Sequence, residues 1–426
     1  MNGGNRMREM KDSGIEWIGK IPKEWVIGRL KIVADCMDSK RKPLNSSQRA
    51  NIKGKIPYWG ANSIQDYIND YLIDEEVVLL GEDGSPFFDK KKNVAFYSNE
   101  KIWPNNHIHV LKPKTNVDAN FLVHWLNTVN YHDYVDGSTR DKLTQSSMMN
   151  IRVPILSLEV QKNIANFLEH KTSKIDSLIS SKEKQIELLN EYKQSLISET
   201  VTKGLSPDVK MKDSGVEWIG EIPEHWIVVK SKQVLSFPTG ELINPEFLNK
   251  DGKGVPYVRS TDFIESGKDP LYFDGDVSNC VYAEKGEYLI SFRGYNKSWD
   301  DAILGLVSNL SYGVLSANVH RIISKNDLII KRYGEFYMQS GFVRNLIIAN
   351  AVGSISLFSM RYVPNLPVVL PSIKEQQQIV EFLEHKTSQI DTLIQNFQKE
   401  IDKLKEYKQS LIFEAVTGKI EVRDDL

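Results

Sequence analysis

Apolar residues fall into a seven-residue rhythm in two stretches of the chain. Over residues 373–413, Leu383, Ile390, Phe397, Leu404 and Leu411 share one heptad position, and Ile379, Leu393 and Tyr407 suggest its companion. Over residues 158–198, Leu168, Ile175, Leu189 and Leu196 keep the same frame, with Lys182 standing where the later stretch has Phe397. Ile164, Leu178 and Tyr192 fill the second position there. This spacing predicts coiled-coil helices whose seam holds Leu168, Ile175, Leu178, Leu189, Leu196, Leu383, Ile390, Leu393, Leu404 and Leu411. No Pro or Gly interrupts either stretch. About forty residues at 1.5 Å each make rods of roughly 60 Å. Seams of that length need a cover, and an antiparallel pairing of the two rods supplies it with two-fold symmetry.

Elsewhere the rhythm shortens to that of strands. Val77–Leu80 and His107–Val110 precede the first rod; Tyr288–Ser291 and Val319–Ile322 precede the second. Turn signals such as Glu82-Asp83-Gly84-Ser85 separate them. A helical segment follows in each region, carrying Phe121, Leu122, Trp125, Leu126 and Val129 in the first and Leu328, Ile329, Phe336 and Tyr337 in the second. Gly137-Ser138 and Gly353-Ser354 close the two regions. Each region reads as a small α/β globule hung from a rod.

The frame around these regions is written twice. MKDSGIEWIGK at 10–20 returns as MKDSGVEWIGE at 211–221, FLEHKTSKID at 167–176 as FLEHKTSQID at 382–391, and EYKQSLI at 191–197 as EYKQSLI at 406–412. The intervening fillings differ. The expected order is an arm (1–26), a first variable region (27–150), a first rod with its hinge (151–210), a second arm (211–227), a second variable region (228–366) and a second rod (367–426). The segments 199–204 and 414–419 correspond as hinges. Joining the C-terminus to the N-terminus would regenerate the same junction, so the plan is circular and the termini are expected to lie close together.

A hydrophobic content of 41% supports packed cores, and no apolar run approaches the length of a membrane span. No leader-like segment opens the sequence. Cys36 and Cys280 stand in neither a redox nor a metal-type spacing, which suits a reduced, cytoplasmic setting. The net charge of −2 is not that of a domain that grips nucleic acid by bulk charge alone, so any DNA binding must concentrate its cations locally or be shared with partners.

Catalytic motifs are missing. The five Gly-Lys pairs, at 19, 54, 252, 267 and 418, are never followed by Ser or Thr, which argues against a phosphate-binding loop. Asn244-Pro245-Glu246-Phe247 departs from the base-holding motif of adenine methyltransferases at its Glu. His107 and His109 share a strand face but lack companion ligands, so they read as structural rather than metal-binding. Cys36 and Cys280 read as packing residues. The candidate DNA-contacting residues are Lys42, Ser85, Lys90, Lys91, Lys92, Arg140 and Lys142 in the first region, and Arg259, Arg293, Tyr295, Asn296, Lys297 and Trp299 in the second. Arg and Asn match guanine and adenine edges, and lysines match phosphates.

The doubled arm DSG(I/V)EWIG(K/E)IP, the doubled helix FLEHKTS(K/Q)ID…EYKQSLI and the two unlike fillings together resemble the specificity subunit of type I restriction–modification systems, over the whole chain. The resemblance implies an α+β protein: two small α/β target recognition domains joined by two long antiparallel coiled-coil helices, pseudo-two-fold and circular in organisation. It implies a non-catalytic subunit that reads the two halves of an asymmetric bipartite site in double-stranded DNA, with the rods setting the gap. It also implies two methylation subunits that modify adenine with S-adenosylmethionine and two restriction subunits that use ATP and Mg, so that no cofactor belongs to this chain. A coiled-coil adaptor that binds only proteins is the alternative reading of the same repeats.

Overall fold

The computed structural model describes residues 8–136, 141–263, 269–292, 305–309, 311–351 and 358–422. The chain divides into two compact units, one of residues 1–183 with 398–426 and the other of residues 184–397. Each contains an arm, a globule and a part of each long helix. The helices span Leu158–Lys203 and Ile373–Val416. Both outrun the predicted rods at their C-terminal ends. The expected hinge at 199–204 is therefore helical through Lys203, and Val201 is buried, its carbonyl accepting from Tyr333 Oη at 3.2 Å. The break comes at Gly204, whose φ of 78° suits glycine. Gly418 ends the second helix with a φ of 70°.

The arms fold as their Asp-Ser-Gly dictates. Asp12 accepts from the Gly14 N–H at 2.8 Å and Asp213 from that of Gly215 at 2.9 Å, each an Asx-type turn that places the glycine at positive φ. Short antiparallel strands flank the turn, Met10–Asp12 with Lys20–Pro22 and Met211–Asp213 with Glu221–Pro223. Trp25 and Trp226 close the arms as buried anchors. Gly418 lies against Pro22 and Trp25 as Gly204 lies against Trp226, so the C-terminal end of the second helix meets the first arm. The expected circular junction is present.

In the first globule, β1 (Ala34–Cys36), β2 (Lys53–Trp59), β3 (Ile64–Ile68), β4 (Val77–Gly81), β5 (Ala95–Ser98), β6 (Trp103–Pro104) and β7 (Ile108–Pro113) build two sheets, ordered β1-β7-β4-β5 and β3-β2-β6. Val77, Val78, Leu79 and Leu80 are all buried, which is why this strand reads as an unbroken apolar run. Helix α1 (Ala119–Thr128) buries Phe121, Leu122, Trp125 and Leu126 as its periodicity predicts. In the second globule, β8 (Leu235–Ser236), β9 (Val255–Val258), β10 (Leu289–Ser291), β11 (Gly313–Leu315) and β12 (Val319–Arg321) occupy the matching places. The registers agree. Leu80 faces His109 and Ile290 faces His320, while Tyr58 pairs in parallel with Trp103 and Tyr257 with Val314. Ile56-Pro57-Tyr58 and Val255-Pro256-Tyr257 are thus copies of one strand, a repeat hidden inside fillings that otherwise look unrelated.

Helix α2 (Lys331–Gln339) matches α1, and Leu328, expected on its face, lies before it and is exposed. Trp125 donates from Nε1 to the Arg152 carbonyl at 2.9 Å, and Tyr337 donates to the Pro367 carbonyl at 2.8 Å. A buried glutamine mounts each globule on its own rod. Gln161 accepts from the Asp118 N–H and donates to the carbonyls of Asn116 and Leu156; Gln376 does the same with Ile330, Leu328 and Pro371.

Within the first unit the helices run antiparallel, since Asp176 holds Lys408 at 2.7 Å while Lys182 holds Glu400. Lys405 approaches Glu183 at 3.7 Å. Within the second unit Lys193 holds Asp391 at 2.7 Å, the sequence-equivalent of the Asp176–Lys408 pair. Leu168, Ile175, Leu383, Ile390 and Leu411 are buried, and Leu189, Leu196 and Leu404 are half-buried. Leu178 and Leu393 are corrections: they are 52% and 47% exposed, as are Tyr192 and Tyr407 at 56% and 57%. The second seam position instead holds Thr172, Ile179, Ile186 and Lys193 on one helix and Thr387, Ile394, Ile401 and Lys408 on the other. Two threonines and two lysines there broke the apolar signal and shifted its phase. Ile164 and Ile379 are buried too, Ile379 within the second globule's core. Leu383→Ala is expected to cost about 2–5 kcal/mol, whereas Leu393→Ala should cost less than about 0.5 kcal/mol. Urea unfolding of the two variants measures the difference.

Candidate nucleic-acid interface

Several loops of the first globule converge at one end, and backbone pairing fixes them there. The Asn105 N–H donates to the Trp59 carbonyl at 3.0 Å, Glu82 to His107 at 3.0 Å, Gly84 to Asp141 at 3.2 Å and Leu143 to Glu82 at 2.7 Å. Ser85 is buried and donates from Oγ to the Ala61 carbonyl at 3.1 Å, tying the turn after β4 to the turn after β2. Exposed at this end are Lys42, Asn62, Ser63, Asn106 and Lys142, with His107 half-exposed beside Asp83 at 2.6 Å.

Beneath the loops lies a charged cluster. Arg41 pairs with Glu82 and, at 3.2 Å, with Asp38, and it donates to the Ile108 carbonyl at 3.0 Å. His109, 1% exposed, meets Asp38 through Nδ1 at 2.6 Å and the Leu143 carbonyl through Nε2 at 2.8 Å. Burial opposes ionisation of Asp38, but the hydrogen bond and charge of His109, the Val110 N–H and Arg41 outweigh it and hold the carboxyl below its ordinary value. Both ring nitrogens of His109 thus face oxygen atoms, the Asp38 carboxylate on one side and the Leu143 carbonyl on the other. Asp38, Glu82 and His109 bring three ligand-type atoms together. The Arg41 guanidinium already engages both carboxylates and the His109 ring is spent on Asp38 and the Leu143 carbonyl, so the cluster is an ion lattice and a poor metal cage.

The second globule keeps the histidine but changes its setting. Thr239 stands at the place of Asp38 and donates to the carbonyls of Ala317 and Val319. His320 shares its Nδ1 proton with the Phe237 carbonyl at 3.2 Å, and burial lowers its pKa against that bond. This ring is neutral. The charge in this globule gathers instead at Glu287, which accepts from Arg321 at 2.6 Å and Lys331 at 2.8 Å. Burial disfavours the Glu287 carboxylate, but those two cations overcome it and bring its pKa down to about 2. A depressed carboxyl contributes stability above its unfolded value and loses it as pH falls through the folded one. Glu287→Gln should therefore flatten the acid limb between about pH 4.5 and 2, read by circular dichroism.

A family model described as the type I restriction modification DNA specificity domain matches residues 22–188 and again 223–404. The chain belongs to that family. Each match takes in one globule with its mount, so the family supplies two copies of a DNA specificity domain. A specificity subunit of the type I restriction enzyme MjaVIII from Methanocaldococcus jannaschii is 24% identical, covering 95% of both chains. The EcoKI specificity subunit of Escherichia coli is 22% identical over 94% of this chain and 90% of its own. A putative specificity subunit from Haemophilus influenzae is 38% identical over 141 residues, 33% of this chain and 36% of the relative. A chain from a structure of the type I R-M system titled for its complex assembly and conformational transition shares the fold, with a TM-score of 0.63 at 15% identity, over 94% of this chain and 99% of that one. As a member of the specificity family, the chain is a non-catalytic subunit. None of its described helices is long and apolar enough to cross a membrane.

Of the sequence candidates, the structure gathers Lys42, Ser85 and Lys142 at the convergent end. Lys142 also reaches Glu82 at 3.2 Å, and the Lys42 carbonyl accepts from Trp103 Nε1 at 2.7 Å. Ser85 is spent on the Ala61 carbonyl. Lys90, Lys91 and Lys92 sit elsewhere, beside the second long helix, where the Lys90 carbonyl accepts from Gln409 at 2.8 Å. Arg259 is half-buried and folds back onto Asp262 at 2.7 Å and the Asp269 carbonyl at 3.1 Å, stabilising its own turn. Arg140, Arg293, Tyr295, Asn296, Lys297 and Trp299 lie outside the described residues, as do both Gly-Ser steps. Sequence reasoning weighed the run Lys40-Arg41-Lys42 only as a solvated edge or a phosphate contact, gave Asp38 no role and read Glu82 only as part of a turn; Asp38 and Arg41 are neighbours, but Glu82 and His109 lie far from them in the chain. The alternation His107-x-His109 pointed toward them, since its inner member anchors the lattice.

Proposed function

We propose that each globule reads one half of a bipartite, asymmetric site in double-stranded DNA, the first through the convergent loops around Asn62, Asn106, Lys42 and Lys142. The observation that supports this most is that two globules of one topology, on equivalent mounts, present unlike loops. Like mounts suit like partners, and unlike loops suit unlike half-sites. The repeated arms and rods dock two methylation subunits, which bring S-adenosylmethionine to adenine, and the rods set the gap between half-sites. Restriction subunits using ATP and Mg complete the larger complex. The relatives' type I context supports this assignment of partners, as does the absence of cofactor motifs in the sequence. The setting is cytoplasmic, where the DNA is.

Mapping of N6-methyladenine in the host, with and without the gene, tests this reading. An interrupted asymmetric motif should lose its methylation when the gene is removed; an unchanged map would refute the assignment. Contacts can then be sorted. Asn106→Ala is expected to weaken cognate binding by about 1–3 kcal/mol and relax one position of the motif. Lys42→Ala should weaken all sequences alike and reduce the salt slope by about one. Competition binding of the assembled complex with duplexes of varied sequence, at several salt concentrations, separates these outcomes.

A further inference from the structure

The two units differ at one place on their mounts. In the second unit the chain leaves α2 and forms another helix, α3 (Gly341–Ala349), packed on the arm and the first rod. Phe342 lies 5.1 Å from Trp218, the Gly341 N–H donates to Ser198 Oγ at 2.9 Å, and Val343 and Ile347 are buried. In the first unit the described chain leaving α1 makes a short turn, Tyr131–Asp133, and then a two-residue strand, Val135–Asp136, in place of a helix like α3. The repeat counterparts of Trp218 and Ser198 are Trp17 and Phe413, and both face a cleft of about 750 Å³. Its other walls are α1, the loop of Lys90–Lys92 and the C-terminal part of the second rod. The cleft thus occupies the place that α3 fills in the second unit.

We infer that this cleft receives one amphipathic helix of a protein partner, two to three turns long, with an apolar face and carboxylates along its flank. Its shape is inferred from α3, the helix that the same mount accepts from its own chain. Its charge is inferred from the walls, where five lysines stand against three carboxylates. Asp176 is already engaged by Lys408, and Asp89 faces Lys92 at 3.7 Å, so the remaining bias is positive. The floor of Trp17, Val123, Ile412 and Phe413 favours apolar side chains over a nucleic-acid backbone. Binding occurs once per chain, because the second mount already holds α3. This goes beyond the DNA reading and does not depend on it.

A fluorescein-labelled peptide of residues 340–351 carrying Arg344→Glu is the probe. It is hydrocarbon-stapled because a helix this short is marginal in water. Titration of the full chain, followed by anisotropy, should show one saturable site. Affinity should fall at least tenfold with Lys90→Glu combined with Lys91→Glu, and should vanish with Ser410→Trp, which plugs the cleft from an exposed helix position. Unchanged melting temperatures keep these variants interpretable. No saturable binding, two sites per chain, or indifference to both variants would overturn the proposal. So would displacement of the peptide by duplex DNA, which makes the cleft a nucleic-acid site, or a chain dimer abolished by Ser410→Trp, which gives it to a second copy.

Discussion

Exchange of residues 30–151 for the corresponding segment of another family member is expected to replace one half of the methylated motif and leave the other half intact. The boundaries come from the closing ladder. Strand Val26–Arg29 pairs with Arg152–Ile155, so the ingoing and outgoing chain run side by side. The Leu30 N–H donates to the Ile151 carbonyl at 2.8 Å just inside that ladder, and the segment between is a closed insert. A cut at residue 27 would split the strand that holds it. Two contacts need care in such an exchange. Trp125 lies 6.0 Å from Trp17 of the arm and Gln161 binds the turn before α1, so a donor must keep an aromatic and a compatible turn there. Mapping N6-methyladenine in cells carrying the chimera measures the result. A motif unchanged in both halves, or altered in both, would contradict separate reading.

Asp38→Ala should be the most damaging single substitution at the reading end of the first globule. The side chain is 7% exposed and serves His109, Arg41 and the Val110 N–H together. Removing it leaves the Arg41 guanidinium short of a counter-charge and the Val110 N–H and the buried His109 ring without their partner, a loss of about 3–5 kcal/mol. Asp38→Asn should cost less, since the shape and an acceptor oxygen remain. The pH dependence follows from the depressed carboxyl. Its contribution is complete above the unfolded value and disappears as acid protonates it in the folded state, so the wild type should lose more stability than Asp38→Asn on acidification below about pH 4. Urea midpoints across that range decide it. The loops around Asn62 and Asn106 rest on this lattice, so specificity at the first half-site should fail in Asp38→Ala while the second half-site is still read.

The doubled arms, the long helices and the apolar strand at residues 77–80 were legible because each is a local pattern. Heptads, an Asp-Ser-Gly turn and a run of four buried aliphatics all announce themselves over a few residues. The second seam position was misplaced because Thr172 and Thr387 are buried there although they score as polar, and Thr387 satisfies its hydroxyl within the helix, on the Leu383 carbonyl at 2.7 Å. The reading surface was only partly legible. Lys42 and Lys142 announce themselves as cations, but Asp38, Glu82 and His109 act as a set that only the sheet assembles. The kinship of the globules was masked for a related reason. A Trp in one and a Tyr in the other donate to matching carbonyls, so function at that site survives a change of residue.

The charges midway along the rods bear on which chains can share a complex. Lys182 meets Glu400, and Lys405 approaches Glu183. The repeat counterparts of Glu400 and Lys405 in the first rod are Gln185 and Asn190. If two first rods were to pair with each other, both ion pairs would vanish and Lys182 would lie in the seam beside an amide. The Asp176–Lys408 and Lys193–Asp391 pairs carry no such preference, because Asp176 of one first rod could pair with Lys193 of another, the counterpart of Lys408. The ends of the rods thus accept either copy, and the middle recognises only the unlike one. A cell expressing several chains built on this frame would depend on those few central side chains to keep its readers from exchanging halves.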